Sequence, residues 1–122
     1  MKWIKLFKDF QMRHLKDMSK RDIHELFWWE CKKKTPDMDL IRFILENFSI
    51  NVNMKDRNGE WTVLHWAAHH NNVELAELLI QAGADVNFKD RDNRTPLDWA
   101  IHTIGFYNKE MEELLKQHGA VE

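Results

Sequence analysis

Three histidines, His65, His69 and His70, are the residues of this chain whose types and spacing come closest to chemistry. His65 and His69 stand four apart, so both project from one helix face, as paired zinc ligands do. The metalloprotease version of that pattern needs a glutamate directly after the first histidine, and that position is Trp66. No third ligand stands at a useful spacing, so a structural and surface role is the better reading, and neither metal nor cofactor is expected. The adjacent acids Glu112 and Glu113 fall on the last helical segment and read as a solvated terminal face. Cys31, the lone thiol, sits beside Trp28 and Trp29 and reads as a small core residue. There is no glycine-rich phosphate loop, and the only serines, Ser19 and Ser49, lie in no nucleophile turn. With no catalytic residue to nominate, the chain is not expected to be an enzyme.

The elements that carry these histidines occur twice. Thr62-Val63-Leu64-His65-Trp66-Ala67-Ala68 leads to Leu78-Leu79-Ile80-Gln81-Ala82-Gly83-Ala84-Asp85-Val86-Asn87. Thr95-Pro96-Leu97-Asp98-Trp99-Ala100 leads to Leu114-Leu115-Lys116-Gln117-His118-Gly119-Ala120, and the two threonines are 33 residues apart. Val52-Asn53-Met54-Lys55-Asp56 returns as Val86-Asn87-Phe88-Lys89-Asp90 after 34 residues, which places one extra residue in the turn Asn58-Gly59-Glu60-Trp61. Thr62 and Thr95 suit helix N-caps. Pro96 suits the first helical position, and Asp98 completes a capping box with Thr95. Gly83 and Gly119 follow leucine-rich helix ends, where a left-handed residue stops a helix. Asn58-Gly59 is a tight-turn signal. Each unit reads as turn, helix, loop, helix and extended arm.

A period of about 33 residues with this threonine-to-alanine motif resembles ankyrin repeats over residues 52–103. Residues 22–51 resemble a degenerate first repeat, with Leu40 to Asn47 as its second helix and Ile50 to Asn53 as its exit strand. The resemblance implies an all-α solenoid of stacked antiparallel helix pairs with short β-hairpin fingers. The expected division is an N-terminal capping helix over 1–20 and a repeat domain over 21–122, with repeats at roughly 21–53, 54–87 and 88–120. It gives His65 the family's role of bonding neighbouring loop backbone, and it implies that a protein partner lies on a concave side built from finger tips and first helices. Carried onto this chain, that side is Lys55, Arg57, Asn58, Glu60 and Trp61 from one finger, and Lys89, Arg91, Asp92 and Arg94 from the next. His69, His70, His102 and Thr103 join them from the helices. Trp61, Arg57, Arg91 and Arg94 lead as candidate anchors, because interface hot spots favour tryptophan and arginine. Trp66 and Trp99 occupy equivalent positions and are expected in the core; of adjacent Trp28 and Trp29, one should be partly exposed. If several of His65, His69, His70 and His102 are interfacial, binding should change between about pH 8 and pH 6.

At 122 residues the chain is long enough for one domain with a real core, and three repeats are near the minimum for a stable stack. Its net charge of −2 gives no global argument for nucleic acid. The charge is uneven: residues 1–35 carry ten Lys/Arg against five Asp/Glu, and residues 36–122 carry eight against fifteen. The basic, amphipathic start (Trp3, Phe7 and Phe10 against Lys2, Lys5, Arg13 and Lys16) reads first as a cap on the stack; contact with an anionic membrane or polyanion is the competing reading. Lys32-Lys33-Lys34 before Thr35-Pro36 reads as a helix C-terminus. Lys5, Lys8 and Asp9 interrupt any signal-peptide core, no run reaches membrane-spanning length, and one cysteine fits a reducing compartment. A cytoplasmic monomer is expected, with a secreted effector as the other location. It would act as an adaptor or inhibitor that occupies one protein partner.

Overall fold

The first five of the described helices each start where a short polar side chain meets an apolar stripe. The computed structural model describes residues 13–102 and 109–121. Six helices lie in them: α1 (Lys20–Lys32), α2 (Met38–Asn47), α3 (Val63–His69), α4 (Val73–Gln81), α5 (Pro96–His102) and α6 (Lys109–Gln117). Ser19, Asp37 and Asn72 cap α1, α2 and α4 by accepting from the N–H of Asp22, Leu40 and Leu75 at 3.2, 3.2 and 3.0 Å. The expected box opens α5: the Asp98 carboxylate accepts from the Thr95 N–H (2.9 Å), and the Asp98 N–H donates to the Thr95 hydroxyl (3.3 Å). At α3 an imidazole replaces the carboxylate, and His65 Nδ1 accepts from the Thr62 N–H at 3.0 Å.

Helices α4 and α6 stop in the same way. Gly83 and Gly119 take φ of 100° and 95°. The N–H groups of Ala84 and Ala120 then reach back to the carbonyls of Leu79 and Leu115, both at 3.0 Å. These glycines supply a backbone conformation that a Cβ would strain.

The helices form two layers. Helix α3 packs between α1 and α5, making an inner layer, while α4 packs on α6 in the outer one. Pairs α1/α2, α3/α4 and α5/α6 are the antiparallel units of three successive repeats. Between the layers lie Ile23, Phe27, Cys31, Ile41, Ile44, Leu64, Leu75, Leu79, Leu97, Met111 and Leu115, all buried. Each large apolar side chain contributes roughly 1.5–3 kcal/mol by leaving water. Ala67, Ala68, Ala76 and Ala100 are buried with them, small residues within the packed layers.

Two asparagines fasten each repeat to the next. Asn53 accepts from the Asp85 N–H (2.7 Å) and donates to the Gly83 carbonyl (3.2 Å). Asn87 repeats both bonds 34 residues later, with the Val121 N–H and the Gly119 carbonyl, each at 3.0 Å.

The fingers are hydrogen-bonded turns, with no strand ladder among the described residues. The first is closed by the Asp56 N–H on the Trp61 carbonyl and the second by the Asp90 N–H on the Arg94 carbonyl, both at 2.9 Å. The first finger thus holds one more residue, as the repeat spacing requires. Its left-handed residue is Glu60 (φ 58°), matched by Asn93 (φ 64°) 33 positions on, and Gly59 is needed for another reason. A Cβ on Gly59 would stand 2.9 Å from the Trp61 indole.

Of the N-terminal cap expected over 1–20, residues 1–12 lie outside the described residues. Residues 13–15 are helical and put Leu15 into the core. The lysine run ends a helix, as expected: α1 stops at Lys32, and Lys33 pairs with buried Glu30 at 3.0 Å.

Candidate functional site

The inner helices carry their tryptophans at the margin of the core: Trp28 and Trp99 pack against it, and these two and Trp66 are half-buried. In α3, Leu64, Ala67 and Ala68 are buried, while Trp66 and His69 occupy the opposite wedge and are half-buried. In α1, Trp29 shares the outward wedge with Lys32 and is 57% exposed. Trp66 and Trp99, expected in the core, are only half-buried, because their helical positions fall outside the apolar stripe.

These rings form one continuous ridge. Trp28 meets Trp29 and Trp66 edge-on, with centroids 6.1 and 6.4 Å apart. Trp61 reaches in from the first finger, its centroid 4.5 Å from Trp66 and 4.3 Å from Trp99, bridging two repeats. Such pairs each add about 0.5–1.5 kcal/mol beyond simple burial. His69 lies among Trp61, Trp66 and Trp99 at 5.7–5.8 Å. Lys32 closes one end, its ammonium 5.3, 4.9 and 5.0 Å from the rings of Trp28, Trp29 and Trp66. Arg94 closes the other end, over Trp99 at 5.5 Å. Trp61 and Arg94 are equivalent positions, each just before the threonine, and each lies on the tryptophan five residues on.

Two carboxylates, buried Asp90 and half-buried Asp56, and one buried histidine hold this surface in shape. Asp90 Oδ1 accepts from the N–H groups of Asp92 and Arg94, and its Oδ2 accepts from the Trp99 indole, all at 2.9 Å. Asp56 repeats the finger half of that pattern, accepting from the N–H groups of Gly59 (3.0 Å) and Trp61 (3.3 Å). His65 Nε2 faces the Arg94 carbonyl at 3.0 Å, so this nitrogen carries the proton and Nδ1 remains an acceptor for Thr62. Burial pushes the His65 pKa below the ordinary histidine value, against the pull of its Arg94 bond and of Asp90 and Asp56.

Comparison with known proteins agrees with this geometry. The family described as Ankyrin repeats (3 copies) matches residues 28–121. The chain belongs to the ankyrin repeat family. It is 33% identical to the serine/threonine-protein kinase VIK of Arabidopsis thaliana, over 79% of this chain and 20% of the kinase. It is 30% identical to the serine/threonine-protein kinase TNNI3K of Rattus norvegicus, over 64% of this chain and 11% of that protein. With Inversin of Mus musculus it shares 41% identity over 43% of this chain and 6% of Inversin. The chain therefore spans a fifth or less of the length of these relatives. Ankyrin repeats generally mediate contact between proteins.

On this ankyrin scaffold the candidate contact residues fall into three groups. Trp61, His69, His70 and Arg94 belong to the ridge. His70 is tied down as well, its Nε2 3.0 Å from the Lys32 carbonyl. Lys55, Arg57, Asn58, Glu60 and Arg91 belong to the fingers. Lys55 pairs with Glu60 at 3.5 Å. Arg91 bridges the fingers, its guanidinium on the Arg57 carbonyl (3.1 Å) and its N–H on the Gly59 carbonyl (2.8 Å). Lys89 and Asp92 are exposed on the second finger, and His102 is exposed at the end of α5. Thr103 lies outside the described residues. His65 is fully buried with both nitrogens bonded, which removes it from any shared interfacial histidine set and from pairing with His69 on a metal.

Sequence reasoning missed Lys32, Trp66 and Trp99 as surface, and Asp56 and Asp90 as finger anchors; of Trp28 and Trp29 it expected one to be partly exposed, and Trp29 is. For the tryptophans the signal was available. Trp66 lies about 200° around the helix from Leu64 at 100° per residue, as Trp99 does from Leu97.

Proposed function

We propose that this ankyrin domain is a non-enzymatic module that holds one protein partner across its fingers and inner helices, occupying or scaffolding it. The supporting observation is the indole ridge. Five tryptophans from three repeats meet on one face, flanked by Lys32 and Arg94, and interface hot spots favour tryptophan and arginine in such clusters. Half-buried indoles are rigid, so little side-chain freedom is lost when a partner covers them.

Affinity capture tests the assignment, with the intact chain beside Trp61→Ala on the ridge and Glu77→Lys on the exposed side of α4. Trp61→Ala should weaken the captured partner by more than about 2 kcal/mol while the helical signal is retained. Glu77→Lys should leave it unchanged. A partner kept by Trp61→Ala and lost by Glu77→Lys would move the interface to the outer layer.

A further inference from the structure

A groove of about 740 Å³ opens beside the ridge, between α1 and the first finger. Its apolar floor is Trp28, Trp29 and Met54, and Lys20, Arg21, Lys55 and Arg57 surround it. From this groove we infer the chemistry of the partner's contact: an acidic peptide segment presenting one bulky apolar side chain. The inference rests on the proposed binding function and gives it a specific end of the molecule.

Charge complementarity decides the occupant. Two carboxylates also line the groove, Glu25 and Asp56. Asp56 is engaged with its own finger, accepting from Gly59 and Trp61. Lys55 is partly offset by Glu60. Lys20, Arg21 and Arg57 have no side-chain carboxylate partner among the described residues and are exposed. This basic rim stands out on a chain whose residues 36–122 carry fifteen acids against eight bases, so it is a local feature and not a global one. His24 on the same wall is fixed by two bonds, from the Asn51 N–H (3.1 Å) and to the Lys20 carbonyl (2.8 Å), which holds the groove's shape. Trp29, more than half in water, is an apolar surface that a bulky side chain would cover.

Indoles beside cations also suit single-stranded nucleic acid, by base stacking and phosphate pairing. Three exposed cations next to an acidic repeat body favour a short acidic peptide over a long polyphosphate.

The test uses the full chain and three fluorescein-labelled probes: a peptide with a central Phe flanked by Glu, its counterpart with Lys for Glu, and a short oligouridylate. Anisotropy and the indole N–H signals of Trp28 and Trp29 are read together. The acidic peptide should bind and shift both indole signals, and the lysine peptide should not. The charge reversals Arg21→Glu and Arg57→Glu, both at exposed positions, should each weaken it about ten-fold, as should added salt. Equal binding of both peptides, indifference to the reversals, or no indole shift would overturn the inference. Preference for oligouridylate would reassign the groove to nucleic acid. If the captured partner is lost with Trp61→Ala but kept by Arg21→Glu and Arg57→Glu, the binding face stands and this inference alone falls.

Discussion

His65 shows how one residue type can look like chemistry and serve structure. Its ring caps α3 through Nδ1 and grips the second finger through Nε2, and the Nδ1 bond, in which the ring accepts, requires neutral imidazole. Above about pH 6.5 folded and unfolded chains both hold it neutral. Below that the unfolded chain takes up a proton that the folded one resists, since burial lowers the folded pKa. Stability therefore falls as pH drops below about 6.5. Urea unfolding at pH 7.5 and 5.5 should show this loss, and a His65→Gln variant should show less of it. The neighbouring anchor makes a sharper prediction. Asp90→Ala orphans two finger amides and the Trp99 indole, and should cost about 2–4 kcal/mol, measured by the same unfolding. Cys31 is fully buried, and burial together with Glu30 pushes its thiol well up. A thiol reagent should label it at the rate of unfolding and not before. The roles of Asp56 and Asp90 could not be read from sequence, since an aspartate before a turn has the same letter whether it faces water or its own amides.

The helices were the most legible elements. Thr95-Pro96 with Asp98, and the glycines after Leu-rich ends, specify starts and stops through local hydrogen bonds, and local bonds are what a short sequence window contains. The tryptophans were less legible, because hydrophobicity alone sends an indole inward. Their angular position on α1, α3 and α5 puts them at the edge of the core, and only the stripe formed by Leu64, Ala67 and Ala68 reveals which side is in. Trp61 needed the three-dimensional turn, since contact with Trp99 crosses from one repeat into the next. The asparagine clamps give this scale its own test. Asn87→Ala removes the bonds to Gly119 and Val121 and should destabilise by about 1–2 kcal/mol. Repeats contact only their neighbours, so hydrogen exchange should quicken in α6 and leave α1 unchanged. Equal quickening in both would mean that the stack behaves as one cooperative body.

At the scale of the whole molecule the repeat arrangement gathers onto one side what the sequence scatters over more than seventy positions, from Trp28 to Trp99. Family membership was legible from two matching repeats, whereas the shape of the surface they build was not. Acidic charge fills much of the repeat body, yet a cation closes each end of the ridge, Lys32 at one and Arg94 at the other. The central claim is that the partner lies on the fingers and inner helices. Hydrogen exchange on the complex of this chain with its captured partner tests that most directly, because it reports every covered amide at once. The account predicts slowed exchange at finger residues 57–60 and 91–93, with the outer helices α2, α4 and α6 unchanged. Protection confined to α2, α4 and α6, with both fingers exchanging as they do in the free chain, would contradict it.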